Sequence, residues 1–279
     1  MTMNSINTNA QAVIALQSLN TTNAQMSVTQ KRVSTGYRVS DARDDGGAFA
    51  VAQAVRSDVA GVIAVGEQLG GVKGILETTF ASLSVVSDTM KQLRAVLTRL
   101  ADSAISSDQR TTYGEQYVLL RNQVASFVDD AYYNGRTLLS TNTAPPINGG
   151  NIISIRNESG NTFTITAVDG ETLKMPTAAP TSAAQATTWI VSGGDFDDVD
   201  KEISSALNEF GSAMAFVDNQ LRYNSQKVDA METGLGSLVD ADLAKESSTL
   251  EALKVRQQLG VQTLGLANQG PQVLLGLFR

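Results

Sequence analysis

The chain contains no cysteine and no histidine. Without Cys there are no disulfides, no thiolate nucleophiles and no Cys-based zinc or iron sites; without His the commonest general base and the commonest transition-metal ligand are missing as well. Catalytic triads, zinc hydrolases and haem ligation each need a residue the chain lacks, so no enzymatic activity and no cofactor are expected. A peptidase of the His-Glu-x-x-His type is excluded on the same ground. Positive charge is also in short supply: 21 Lys and Arg stand against 28 Asp and Glu, for a formal net charge of -7, and no basic patch with interleaved aromatics occurs. Nucleic acid and anionic membrane surfaces are poor partners for such a chain. Met1 to Ser5 carries no basic head followed by an apolar run, so any export is expected to use no cleavable signal, and the sequence reads as free of apolar stretches of membrane-spanning length.

With 279 residues, 42% of them hydrophobic, the chain can bury one sizeable core or two modest ones. Val62, Leu69, Leu76, Leu83, Met90 and Leu97 recur every seven residues, and Val65, Val72, Thr79, Val86, Leu93 and Leu100 form a second row three residues on. Two rows in a 3-4 spacing describe a coiled-coil seam on a helix of roughly 60 Å. Gly66, Gly70, Gly71 and Gly74 interrupt it, and glycine inside a helix costs about 0.5–1 kcal/mol relative to Ala unless a close approach compensates. They read as a tight contact or a weak joint. A second helix carries Tyr117, Leu120, Val124, Phe127 and Ala131 on one stripe, with Asn134-Gly135 read as its C-cap. A third heptad row, Ile203, Phe210, Val217, Asn224, Met231 and Leu238, is accompanied by Leu207, Met214, Leu221, Val228 and Leu235. Asn224 is its one polar member and reads as a register-setting residue. The expected fold is mainly α: a long coiled-coil rod formed by both chain halves (helices about 41–100, 107–132 and 198–238), with a small β-hairpin and loop insertion at about 140–195. In that insertion Ile153 and Ile155, then Phe163, Ile165 and Ala167, alternate around a turn at Asn157 to Asn161.

The two ends behave differently. Leu243, Leu250 and Leu264 form one row with Leu253, Ala267 and Leu274 beside it, but Leu259, Leu266 and Val273 form another about 200° away around the helix. A helix that buries one face in its own fold has no use for a second, so the surplus points to burial among neighbouring subunits. At the N-terminus Ile6, Ala10 and Val13 lie at helical spacing, followed by Leu19, Met26 and Val33 at sevens. Terminal helices of this kind are expected to lack partners in an isolated chain. A step of five from Leu238 to Leu243 and the Ser34-Thr35-Gly36 interruption separate tails from rod.

Particular residues then carry a resemblance. Ser5-Ile6-Asn7-Thr8-Asn9, Ser34-Thr35-Gly36-Tyr37-Arg38-Val39 and Asp41 to Gly47 resemble the N-terminal region of bacterial flagellins, and Tyr133-Asn134-Gly135-Arg136 resembles the family's aromatic-Asn-Gly turn. Asp240 to Glu246, Gln257-Gln258, Ala267-Asn268-Gln269-Gly270-Pro271-Gln272 and Leu277-Phe278-Arg279 resemble its C-terminal region. The resemblance implies a structural subunit, a short flagellin whose residues 1–40 and 240–279 form an inner filament tube and whose residues 41–239 form the rod. It implies self-polymerisation for swimming motility. The implied partners are further copies of the chain, the flagellar cap and hook-junction proteins and an export chaperone, and the implied location is the extracellular flagellum. The assembly surface expected from pattern and resemblance together comprises Ile6, Val13, Leu243, Leu250, Leu253 and Leu259, continued by Val261, Leu264, Leu266, Val273, Leu274 and Leu277. A hook-filament junction protein, or a surface homologue that binds polysaccharide, is the alternative. Met90 to Leu97 lies where many flagellins carry an Arg-Glu-Leu motif read by innate immunity, and Ala95 replaces the Glu.

Asp195-Phe196-Asp197-Asp198-Val199-Asp200 clusters carboxylates as a calcium loop does, but without the glycine and terminal Glu of an EF-hand. Acidic residues are equally expected at a helix N-terminus, which is the preferred reading. Asp41, Asp44 and Asp45 read as a loop or helix start rather than as paired-carboxylate chemistry, and Trp189 as a packing anchor.

Overall fold

The computed structural model describes residues 9–142 and 148–276, with side chains described as far as Gln269. The order is α1 (Ala10–Thr35), α2 (Gly46–Leu100), α3 (Ser107–Asp129), β1 (Ile152–Ile155), β2 (Thr162–Ile165), a 3-10 turn (Gly170–Leu173), α4 (Ala183–Ile190), α5 (Asp195–Val239) and α6 (Leu243–Gly276). The fold is mainly α with one small antiparallel hairpin, as the sequence predicts. It forms two compact units, one of residues 1–57 with 230–279 and one of residues 58–229.

In the unit of residues 58–229 the heptad seam is the core. Leu69, Leu76, Leu83, Met90, Leu93, Leu97 and Leu100 of α2 are fully buried, together with Tyr117 and Val124 of α3 and Ile203, Phe210 and Val217 of α5. Thr79, the polar member of the α2 seam, is buried because its hydroxyl donates to the Ile75 carbonyl at 2.8 Å. α3 begins where Ser106 and Gln109 form a reciprocal capping box. It stops at Asp129, three residues before the expected end at 132. Asn134-Gly135 is not its C-cap: both residues have positive φ (49° and 72°), and Tyr133 and Arg136 exchange backbone hydrogen bonds of 2.8 and 2.9 Å around them. The pair makes a tight hairpin turn, a conformation Asn-Gly favours as strongly as a helix stop.

The insertion holds more structure than the hairpin expected from sequence. Ser182 caps α4 by accepting from the Gln185 amide at 3.2 Å, and Trp189 on α4 meets Tyr117 with ring centroids 5.7 Å apart. Trp189 therefore belongs to the main core. In the hairpin, Ile152 pairs with Ile165 and Ser154 with Phe163 on the inner face, while Ile153 (69% exposed) and Ile155 face outward. The turn of the hairpin is held by an ion pair of Glu158 with Lys227 and by Gln220 Nε2 donating to the Arg156 carbonyl at 3.0 Å. Gly61 permits this approach, since a Cβ there would lie 3.1 Å from Glu158 Cβ.

Two expectations about α2 are revised. Of the four interrupting glycines only Gly74 makes a close contact, with the Tyr133 ring 3.0 Å from where its Cβ would stand; Gly66, Gly70 and Gly71 face open space. By length and composition α2 is also apolar enough to cross a membrane, against the expectation of no such stretch. Ala, Val, Ile and Leu supply that character, and 22% of the apolar window is buried.

α5 begins at Asp195, so the acidic run is its first turn: Asp197 accepts from the Gly193 amide at 2.9 Å and pairs with Lys201 at 2.6 Å. Lys201 holds the Asp197 carboxyl below the usual range. Among the described residues no group of three or more acidic side chains is arranged to hold a metal ion.

Candidate assembly surface

In the unit of residues 1–57 and 230–279, α1 and α6 pair antiparallel. Asn9 caps α1 by accepting from the Ala12 amide, and its Nδ2 donates to the Ala267 carbonyl at 2.7 Å. Further along, Gln257 Nε2 donates to Asn23 Oδ1 at 2.8 Å, and Arg32 pairs with Glu246 at 3.1 Å. The two terminal helices thus partner each other, contrary to the expectation that they lack partners in one chain. The pairing was hidden because the inner face of α1 has a polar row: Thr22 and Thr29 are buried, beside half-buried Leu19, Met26 and Val33. On α6 Leu253 is buried, Leu250 and Leu264 are half-buried, and Gly260 receives the Leu19 side chain.

This seam is thin. Among the described residues Leu253 is the only large apolar side chain of α1 and α6 that is fully buried, whereas Val13, Ile14, Leu16 and Val28 of α1 are 43–66% exposed, and Leu243, Val255, Leu259, Val261 and Leu266 of α6 are 49–67% exposed. Each such side chain is worth about 1.5–3 kcal/mol when fully buried. Leu243 leaves the row of Leu250 because it opens α6, directly after Asp242, whose carboxylate accepts from the Ala244 and Lys245 amides. Ile6 and Leu277 lie outside the described residues, as do the side chains of Val273 and Leu274. Ile14, Leu16, Val28 and Val255 were missed in the sequence. The fourteen-residue spacing of Ile14 and Val28, two heptads, was the signal for that pair.

Within the same unit the chain breaks on both sides at one level. Gly36 caps α1 with φ 75°, its amide donating to the Arg32 carbonyl at 2.9 Å. Tyr37 bridges Asp240, the Ala241 amide donates to Gly36 O at 2.9 Å, and the Arg38 amide donates to Val239 O at 2.7 Å. Val39, Ala52 and Val239 close a small core there. The loop to α2 is tied by Lys31, which pairs with Asp41 (2.8 Å) and Asp44 (2.9 Å). Asp44 also accepts from the Ser40 amide and hydroxyl. Lys31 and these Ser40 donors hold the Asp44 carboxyl well below the usual range, and the two carboxylates raise the Lys31 pKa. These acids are structural loop anchors.

The sequence pattern of the bacterial flagellin N-terminal helical region matches residues 6–144, and that of the flagellin C-terminal helical region matches residues 196–278. The chain is 31% identical to flagellin FljM of Caulobacter vibrioides over the whole length of both chains. It is also 34% identical to a flagellin of Brucella melitensis over 99% of this chain and 100% of that one. This protein belongs to the bacterial flagellin family. The crystal structure of Bacillus cereus flagellin shares the fold, with a TM-score of 0.51 and 23% identity over 57% of this chain and 88% of that chain. Family membership makes this flagellin a structural subunit of a flagellar filament and not an enzyme. The matched C-terminal region includes the whole of α6, and the matched N-terminal region the whole of α1.

Proposed function

We propose that this flagellin polymerises into the extracellular filament for swimming motility and that α1 and α6 form the assembly surface, with Val13, Leu243, Leu259, Val261 and Leu266 buried against neighbouring copies. The observation that carries the reading is the imbalance on the tail pair among the described residues, one large apolar side chain fully buried against nine left 43–67% exposed. Leu250, Leu253 and Leu264 hold the pair together. Charge supports the assignment. Residues 1–57 and 230–279 carry nine Lys and Arg against eight Asp and Glu, while residues 58–229 carry twelve against twenty. The near-neutral unit suits close packing of many copies, and the acidic unit suits a solvated exterior.

In this reading residues 1–40 and 240–279 form the inner tube and residues 41–239 the rod. The subunit leaves the cell without a cleaved signal, escorted by an export chaperone, and adds to the filament between cap and hook-junction proteins. Electron microscopy of the purified chain after adding filament seeds tests the proposal. Full-length protein should grow long tubes, and protein trimmed to residues 41–239 should remain a folded monomer. Ordinary filaments from the trimmed protein would overturn it.

A further inference from the structure

One groove runs lengthwise between α1 and α6. A stretch of about 540 Å³ is lined by residues that include Val28, Ala252 and Arg256, and a second of about 560 Å³ by residues that include Ile14 and Leu266. Ile14 and Val28 are two heptads apart on α1, and Ala252, Leu259 and Leu266 are one heptad apart on α6, so both stretches lie on the same side of the pair. Arg256 stands in this stripe beside Arg32, which Glu246 holds, and also lines the segment that contains Leu259. It is exposed, and it has no ion-pair partner among the described residues; the pairs on these helices join Lys31 to Asp41 and Asp44, Arg32 to Glu246, and Lys254 to Glu251.

Covering the stripe also covers Arg256, and a covered cation without a carboxylate partner is strongly unfavourable. Whatever occupies the groove must bring an acid. α1 contains no Asp or Glu, and on α6 Glu246 is already held by Arg32. Glu251 remains. It is 71% exposed at its side chain and held only by Lys254 three residues on, an exposed pair that exchanges at little cost. Arg256 lies five positions after Glu251, which places them about 140° apart around α6, on opposite flanks. Each copy therefore offers a cation to one neighbour and a carboxylate to the other. Such a head-to-tail contact does not close on a pair of molecules but propagates.

We propose that α6 of a second copy lies in this groove and sets its Glu251 against Arg256. This rests on the reading of the tail helices as the assembly surface and names which helix covers the stripe. The test uses full-length chains carrying Arg256→Glu, Glu251→Lys or both, with monomer helicity measured by circular dichroism and the critical concentration read from seeded growth. Both sites are exposed, so the monomers should keep their helicity. Each single change should raise the critical concentration about tenfold or more, and the double change should return it to within about threefold of the unaltered chain. If both singles impair growth and the double does not recover, the partner assignment is wrong while the tail surface stands. If Arg256→Glu grows like the unaltered chain, the groove is not covered. Failure of the unaltered chain to polymerise would remove the underlying reading itself.

A second measurement is independent of charge. The chain has no native Cys, so Glu251→Cys with Arg256→Cys gives two thiols that cannot bridge within one helix, because they point apart. Oxidation in assembled filaments should produce a ladder of covalent oligomers. No cross-link, or dimers alone, would contradict the contact.

Discussion

Tyr37 and Asp240 form an antiparallel bridge across the chain's two ends, and that pairing sets the break after α1 opposite the break between α5 and α6. Gly36 makes the alignment possible, because its left-handed conformation lets its carbonyl accept from Ala241 while its amide closes α1. A β-branched residue in that conformation costs about 1–2 kcal/mol. Gly36→Val should therefore accelerate amide exchange at Arg38 and Ala241 severalfold while leaving the thermal midpoint of the 58–229 unit unchanged. Unaltered exchange at both amides would show that the joint does not depend on Gly36.

The heptad seam gives a larger effect. Leu83 is fully buried in the centre of the α2 rows, and Leu83→Asp places an unpaired charge there, at a cost of several kcal/mol. Thermal unfolding of the monomer followed by circular dichroism should show a lowered midpoint or no folded state. An unchanged midpoint is incompatible with the seam.

Glycines on the same helix should separate by sign. Gly70 faces open space, so Gly70→Ala removes a helix penalty of about 0.5–1 kcal/mol without a clash and should raise the monomer's midpoint. Gly74→Ala crowds the Tyr133 ring and should gain less, or lose stability. Equal gains at the two positions would mean that the Tyr133 contact is not formed.

The ion pair at the hairpin turn predicts a pH dependence. Lys227 donates to Glu158 and holds its carboxyl below the ordinary value near 4.5. A carboxyl depressed in the folded state stabilises at pH above its unfolded value, and the contribution is lost as pH falls through the folded value. Lys227→Met should therefore lower the thermal midpoint at pH 7, and the gap to the unaltered chain should close as the pH drops below about 4. A gap that persists unchanged at pH 2 would assign the effect to packing of the lysine stem.

Calcium should leave stability untouched, because Asp197 of the acidic run is already engaged by Lys201 and Gly193 in the first turn of α5. Equal midpoints in chelator and in millimolar calcium are expected. A calcium-dependent rise would reinstate a metal loop at Asp195 to Asp200.

The seams of α2 and α5 were legible because large apolar residues mark the buried rows directly. The α1–α6 pairing was not, since Thr22 and Thr29 occupy buried positions that a hydrophobic pattern skips. α4 escaped notice because Ala183 to Ile190 is too short to show a heptad repeat, although Ser182 followed by Gln185 is a recognisable capping signature. The hairpin was visible but its inner face was not, because Ile occupies 152, 153 and 155, and only the pairing with Ile165 and Phe163 decides which side is covered. Arg256 could be seen as a charge in sequence, but its place in a groove with no ion-pair partner among the described residues needed the packing of both tail helices.

Hydrogen exchange across α1 and α6, compared between monomer and filament, tests the central claim most directly. With Leu253 the one fully buried large apolar side chain among their described residues, these helices should exchange much faster in the monomer than the α2 segment from Leu69 to Leu100, and should become as protected as that segment in the filament. Full protection of α1 and α6 already in the monomer, or continued fast exchange in the filament, would contradict assembly through the terminal helices.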